Sequence, residues 1–204
     1  MKDHPKSRVD PRVIRTRQLI KEALIDLLQE MEISKITVNK LAERATINRV
    51  TFYLHYRDIH DMLEKMAQEM VEDIEKIMTS TENLSDSSED IEWLKLVDLL
   101  EYIADNAKFY KVVLGSRRTP IFTERLLNTL SDKITERTES DSFLITKDIP
   151  KDIPKDIPKD IAIWYGSSAL IGTIVKWLHR DMPYTPQFLA KRLYILFKLS
   201  NKEV

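Results

Sequence analysis

The stretch that decides the fold runs from Ile36 to Met62 and reads ITVNKLAERATINRVTFYLHYRDIHDM. Thr37 is a suitable N-cap for a short helix whose inward side is Leu41, Ala42 and Ala45. Thr46-Ile47-Asn48 leaves room only for a tight turn. A further helix follows, with Phe52 and Tyr56 four residues apart on its buried side. At about 100° per residue, Val50, Tyr53 and Leu54 point away from that side, flanked by Arg49 and Thr51. Asp58, with Asp61 three residues on, opens the next helix in a capping-box-like relation, and its apolar positions carry it to about Met78.

Upstream, Asp10-Pro11 starts a helix over 12–31 with an apolar stripe of Ile14, Ile20, Ala23, Leu24, Leu27, Leu28 and Met31. A scaffold helix, then helix, tight turn and helix, is the layout of a helix-turn-helix DNA reader. On its exposed face, Arg can read guanine edges, Thr and Val can touch a thymine methyl, and Tyr and His can bond phosphates. The same face also suits a surface helix of a generic bundle. Periodicity alone leaves both readings open.

The rest of the chain agrees with an all-α protein. Only three of the 204 residues are glycine, none before Gly115, and no proline lies between Pro11 and Pro120. Two-residue hairpin turns nearly always need Gly or Asn at positive φ, and glycine-rich phosphate loops need glycine, so the span argues against both. Without cysteine there is no disulfide framework, zinc knuckle or thiol nucleophile. Residues 1–60 hold 12 Lys and Arg against 8 Asp and Glu, while 61–105 hold 3 against 14. Any polyanionic partner is therefore expected at the N-terminal end. The longest uncharged stretch ends at Val175 and is shorter than the about 20 residues of a membrane span. With no apolar leader behind the basic N-terminus, a cytoplasmic location and no membrane contact are expected.

Catalysis is not expected. The histidines are His4, His55, His60 and His179. His55 and His60 are five residues apart, about 140° around a helix, with a turn between them, so no metal site is read there. The carboxylates of Glu69–Glu75 suit a solvated helix face, and no serine sits in a nucleophile elbow. No catalytic residue, metal or cofactor is assigned.

Past a Ser/Asp-rich loop at Ser80–Asp90, helical periodicity covers Ile91–Asn106, Ala107–Leu114 and Pro120–Glu136. A Lys-Asp-Ile-Pro unit then repeats from Lys147, making 143–160 a connector. Two helices close the chain, from Asp160 to about Asp181 and from Pro186 to about Leu199. The first is apolar nearly all round and carries two glycines, which suggests close helix packing at a subunit interface. Gly166, Ala169, Leu170, Gly172, Thr173, Trp177, Leu189 and Leu193 are the expected dimer contacts. Trp93, Tyr102, Phe109, Tyr110, Phe122, Trp164 and Tyr165 are the candidates for an effector pocket between helices.

The residues Ile36-Thr37-Val38, Leu41-Ala42, Ala45, Ile47-Asn48-Arg49, Thr51-Phe52-Tyr53 and His55-Tyr56 resemble the N-terminal signature of the TetR/AcrR transcriptional regulators. The resemblance covers about residues 12–62. It implies that the third helix enters the major groove, with Arg49, Val50 and Thr51 at base-reading positions. Tyr53 and His55 fall at backbone-contact positions, and Thr37 and Asn39 at contacts from the start of the second helix. Asn48 completes this set. Two residues depart from the pattern. Thr46 stands at the turn glycine, and Ile59 stands at the lysine that opens the fourth helix, where Arg57 is the nearest substitute. Trp177-Leu178 and Met182-Pro183-Tyr184-Thr185-Pro186 resemble a branch that includes regulators associated with dihydroxyacetone kinase operons.

The implied organisation is a helix-turn-helix domain over 10–57 and a helical domain over 58–204 that dimerises and binds an effector. The implied function is a homodimeric, ligand-responsive repressor on a palindromic operator, its effector an unknown small molecule or protein. The alternative is a helical protein-interaction module of the same fold, or a co-activator controlled by a partner protein.

Overall fold

The computed structural model describes residues 10–80, 88–115, 119–139 and 158–199. All regular structure among them is helical: α1 (Pro11–Glu30), a 3₁₀ turn (Ile33–Lys35), α2 (Val38–Arg44), α3 (Arg49–Tyr53), α4 (Ile59–Ser80), α5 (Ser88–Asp105), α6 (Ala107–Gly115), α7 (Pro120–Glu139), α8 (Lys159–His179) and α9 (Pro186–Leu199). Two compact units divide at Lys65 and Met66. The division lies inside α4, later than the boundary at residue 58 that the sequence suggests. α4 begins in one unit and ends in the other.

The N-terminal unit is built from local caps. The Asp10 carboxylate accepts the Arg12 N–H at 2.8 Å, with Pro11 in the first turn of α1. Thr37 Oγ1 accepts the Lys40 N–H at 3.3 Å at the start of α2, and Asn48 Oδ1 accepts the Val50 N–H at 2.8 Å at the start of α3. α1 packs on α2 and α2 on α3. The core collects Ile20, Leu24, Leu27 and Leu28 of α1 with Ile36, Leu41, Ala42, Phe52 and Tyr56. Glu30 and Arg44 tie the end of α1 to the end of α2 through two parallel bonds, at 2.8 and 2.7 Å. α3 ends at Tyr53, so Tyr56 lies beyond the helix that the sequence reading assigned it to. It stays buried, with its N–H on the Phe52 carbonyl at 3.0 Å.

The turn between α2 and α3 carries backbone strain. Ile47 N–H bonds the Ala42 carbonyl at 2.9 Å and Thr46 N–H bonds the Glu43 carbonyl at 3.1 Å. This Schellman closure requires a left-handed residue at position 46. Thr46 adopts it, at φ +55°. A left-handed backbone costs an L-residue about 1–2 kcal/mol, and a β-branched one is poorly suited to it. Thr46→Gly is therefore expected to stabilise the protein by about 0.5–1.5 kcal/mol, after allowing for glycine's extra unfolded-state entropy. Urea titration checks this: the midpoint should rise with the slope unchanged, and a lower midpoint would refute the strain.

In the second unit α5 packs on α9, α6 on α7 and α8, and α7 on α8. A chain of edge-to-face ring contacts runs Tyr102–Tyr110–Phe109–Phe122 through its core. α8 closes with a second Schellman pattern, Met182 N–H on Trp177 O at 2.9 Å and Asp181 N–H on Leu178 O at 3.0 Å. Asp181 and Met182 both sit at positive φ, and Asp181 pairs with Lys111 at 2.6 Å. Trp177 Nε1–H bonds the Tyr184 carbonyl at 2.9 Å. Gly115, at the end of α6, faces the His179 imidazole so closely that a Cβ there would collide with it.

Several helix boundaries differ from the sequence reading. α4 runs on to Ser80, α5 starts at Ser88 instead of Ile91, α7 reaches Glu139, and α8 ends at His179. Residues 81–87 of the expected loop and 147–157 of the proline repeat lie outside the described residues. Over Asp160–His179, α8 is long and apolar enough by composition to cross a bilayer; one side of it packs on α6 and α7, while Ile161, Trp164 and Tyr165 are exposed.

Candidate nucleic-acid interface

α3 is five residues long, and its two sides are sharply different. Phe52 is fully buried, in edge contact with Tyr53 and tilted contact with Tyr56, both at 5.6 Å between ring centres. Arg49, Val50, Tyr53 and Leu54 are exposed, and Thr51 is half-buried. The buried ring thus fixes the helix while its neighbours present a cation, a branched aliphatic group and a phenol to solvent.

The other sequence-assigned positions divide by role. Thr37 and Asn48 are exposed but serve as the caps of α2 and α3. Asn39 is exposed on the first turn of α2. His55 is half-buried beside Tyr56, and its pKa is held below the ordinary histidine value by burial first and by the Arg17 charge second. Both causes favour its uncharged form in the chain by itself. Arg57 projects into solvent with its side chain 85% exposed.

Sequence reasoning passed over what holds Arg57. The Asp61 carboxylate, 9% exposed, accepts the Arg57 backbone N–H at 2.9 Å and its Nε–H and Nη2–H at 3.2 and 3.1 Å. It also takes Lys65 Nζ at 3.0 Å, and Lys65 in turn bonds the His55 carbonyl at 3.1 Å. The Asp61 N–H bonds Asp58 Oδ1 at 2.8 Å. This is a capping box whose returning bond lands on Arg57 rather than on the capping residue. The Arg57 N–H, then Lys65, hold the Asp61 carboxyl well below the usual range, at about 2. The signal for the cluster was the four-residue spacing of Arg57, Asp61 and Lys65.

The candidates in the second unit are redistributed. Tyr102, Phe109, Tyr110 and Phe122 do come together, and Trp93 is half-buried. The Tyr102 hydroxyl donates to Asp73 at 3.0 Å, and burial with that carboxylate pushes its pKa up to about 12. The Tyr110 hydroxyl is buried and makes no hydrogen bond, although Tyr102 is close enough to raise its pKa further. Trp164 and Tyr165 do not join them. They are 59% and 74% exposed on α8. The expected dimer contacts differ in their exposure within the unit. Leu170, Trp177, Leu189 and Leu193 are buried inside the unit, as is Gly166, while Ala169 and Thr173 are half-buried. Gly172 is exposed with nothing within 4 Å of where a Cβ would stand. A helix apolar on every side gives no period from which its outward face can be read.

Residues 92–199, more than half of the chain, match the model of the transcriptional regulator C-terminal region of the TetR family. The chain belongs to the TetR family of transcriptional regulators. A 61-residue stretch is 36% identical to an uncharacterized HTH-type transcriptional regulator, YxbF of Bacillus subtilis (strain 168), covering 29% of this chain and 16% of that protein. Among solved structures, a TetR transcriptional regulator from Streptococcus agalactiae 2603V is 26% identical with a TM-score of 0.63, over 92% of this chain and 96% of that one. The fatty acid degradation regulator FadR from Bacillus halodurans has the same fold, with a TM-score of 0.66 at 19% identity and full coverage of both chains. These likenesses agree with the helix-turn-helix in the N-terminal unit and the helical C-terminal domain.

Proposed function

We propose that this TetR-family regulator is a cytoplasmic, homodimeric, ligand-responsive repressor that reads a palindromic operator with α3. The observation that carries the reading is the division of α3, Phe52 buried and Arg49, Val50 and Tyr53 exposed. Arg49, Val50 and Thr51 are the base-reading residues. Tyr53, His55 and Arg57 contact the backbone, with Thr37, Asn39 and Asn48 at the starts of α2 and α3. Dimerisation uses the exposed apolar groups of the last two helices, Ile161, Trp164 and Tyr165 of α8 with Phe188 and Leu196 of α9. The effector is held by the Tyr102–Tyr110–Phe109–Phe122 cluster, where the unbonded Tyr110 hydroxyl supplies its polar contact. α4, shared by both units, is the lever. The coupling it carries equals the effector's difference in affinity for the two states.

The test is binding to a duplex carrying the region upstream of the protein's own gene, at stated salt. Arg49→Ala is expected to weaken specific binding by about 1–3 kcal/mol and to relax specificity at one position. Tyr53→Ala should weaken it without altering preference, and Lys155→Ala should change nothing. Unchanged binding in both head variants would overturn the assignment of α3. No binding at low salt would favour a protein-interaction module.

A further inference from the structure

We infer that Asp61 is a positioning residue for a phosphate site formed by Arg57 and Lys65, the second of which joins the DNA-contacting set. This rests on the DNA-binding reading above. The start of α4 carries Ile59, half-buried, where the family resemblance expects a lysine. The cations at this junction are instead Arg57 and Lys65, and both are fixed. Arg57 spends two of its five N–H donors on Asp61 and keeps three, on a guanidinium that is almost fully solvated. Lys65 spends two of its three donors, on Asp61 and the His55 carbonyl, and its ammonium lies 5.6 Å from the centre of the Tyr56 ring. Both cations are thus bonded to one buried carboxylate, and Lys65 also to the His55 carbonyl just past α3.

Asp58 completes the local charge, so Arg57, Asp58, Asp61 and Lys65 are formally neutral together. Attraction for a phosphate then comes from charge-assisted hydrogen bonds to the donors that Arg57 and Lys65 keep, not from excess positive charge. A long cation held in advance loses little rotamer freedom on binding, and the arginine fork gains most from this. Asp61 therefore aids an anion by arranging two cations, although it is itself an anion.

That paradox makes the test sharp. Anisotropy titrations of the full chain against two labelled duplexes, the upstream region and an unrelated sequence of equal length, are run from 50 to 200 mM NaCl. Arg57→Gln and Lys65→Gln should each flatten the slope of log K against log salt by about 0.9, and weaken binding about 3- to 10-fold, on both duplexes. Asp61→Asn removes a negative charge, so simple electrostatics predicts tighter binding. The inference requires weaker binding, about 5-fold, with Arg57 and Lys65 still present. Circular dichroism establishes that the Asn variant is folded, and if it is not, the two Gln variants decide alone. Unchanged slopes in both Gln variants, or a folded Asp61→Asn that binds as tightly as wild type, overturn the site. Loss of preference for the upstream duplex in the wild type would instead overturn the operator reading, leaving the slopes to decide the clamp. Failure to bind either duplex at 50 mM overturns both.

Discussion

Phe52→Ala is expected to unfold the N-terminal unit and leave the second unit folded. Phe52 has no exposed surface and touches the rings of Tyr53 and Tyr56. Truncating such a side chain costs about 3–5 kcal/mol in lost burial and cavity formation. A core of under about 70 residues rarely supplies more than that in total. α3 has only five residues and cannot persist as an isolated helix, so its shape depends on this one anchor. Hydrogen exchange should show protection lost from α1 to α3 and kept across α5 to α9, with specific DNA binding gone. The adjacent Tyr53→Ala provides the contrast. Its ring is exposed, so stability should move by no more than about 0.5 kcal/mol while DNA affinity falls. A Phe52→Ala protein with full protection in α1 would show that the unit's core lies elsewhere.

The parts of this fold that were legible in the sequence are those decided within a few residues. Asp10, Thr37, Asn48 and Asp58 each place a side-chain oxygen near the N–H it caps, and such bonds need no tertiary information. The turn at Thr46 was legible as a turn, and its departure from glycine now has a physical expression at φ +55°. What failed depended on neighbours far away in sequence. A tight glycine approach within the chain is at Gly115 against His179, 64 positions later, and no spacing in the sequence points to it. Trp164 and Tyr165 read as pocket aromatics because aromatics are usually buried. Which side of α8 faces inward is set by α6 and α7, and no period in the sequence encodes that. The Asp61 cluster was missed for a different reason. The carboxylate was read as a cap alone, although its spacing to Arg57 and Lys65 was visible.

That reassignment of α8 makes the second large prediction different from one drawn from sequence. If the proposed dimer forms through these groups, Trp164→Glu combined with Tyr165→Glu should leave a folded monomer, whereas Leu170→Ala should cost about 2–5 kcal/mol of stability and spare dimerisation. The reason is position. Leu170 is filled around by its own unit, while Trp164 and Tyr165 project from it. A stable dimer buries roughly 800 Å² per partner, and centrally placed Trp and Tyr side chains commonly dominate its energy. Two carboxylates placed there would be desolvated without partners, a penalty of several kcal/mol. Sedimentation velocity at tens of micromolar distinguishes the cases. A dimeric double variant, or a monomeric wild type, would sink the α8–α9 interface. Operator binding should follow the oligomeric state. On the proposed reading a monomer retains α3 and the phosphate contacts assigned to it but engages one half-site at a time, so it should lose the gain from linking two heads while its affinity for unrelated DNA barely changes.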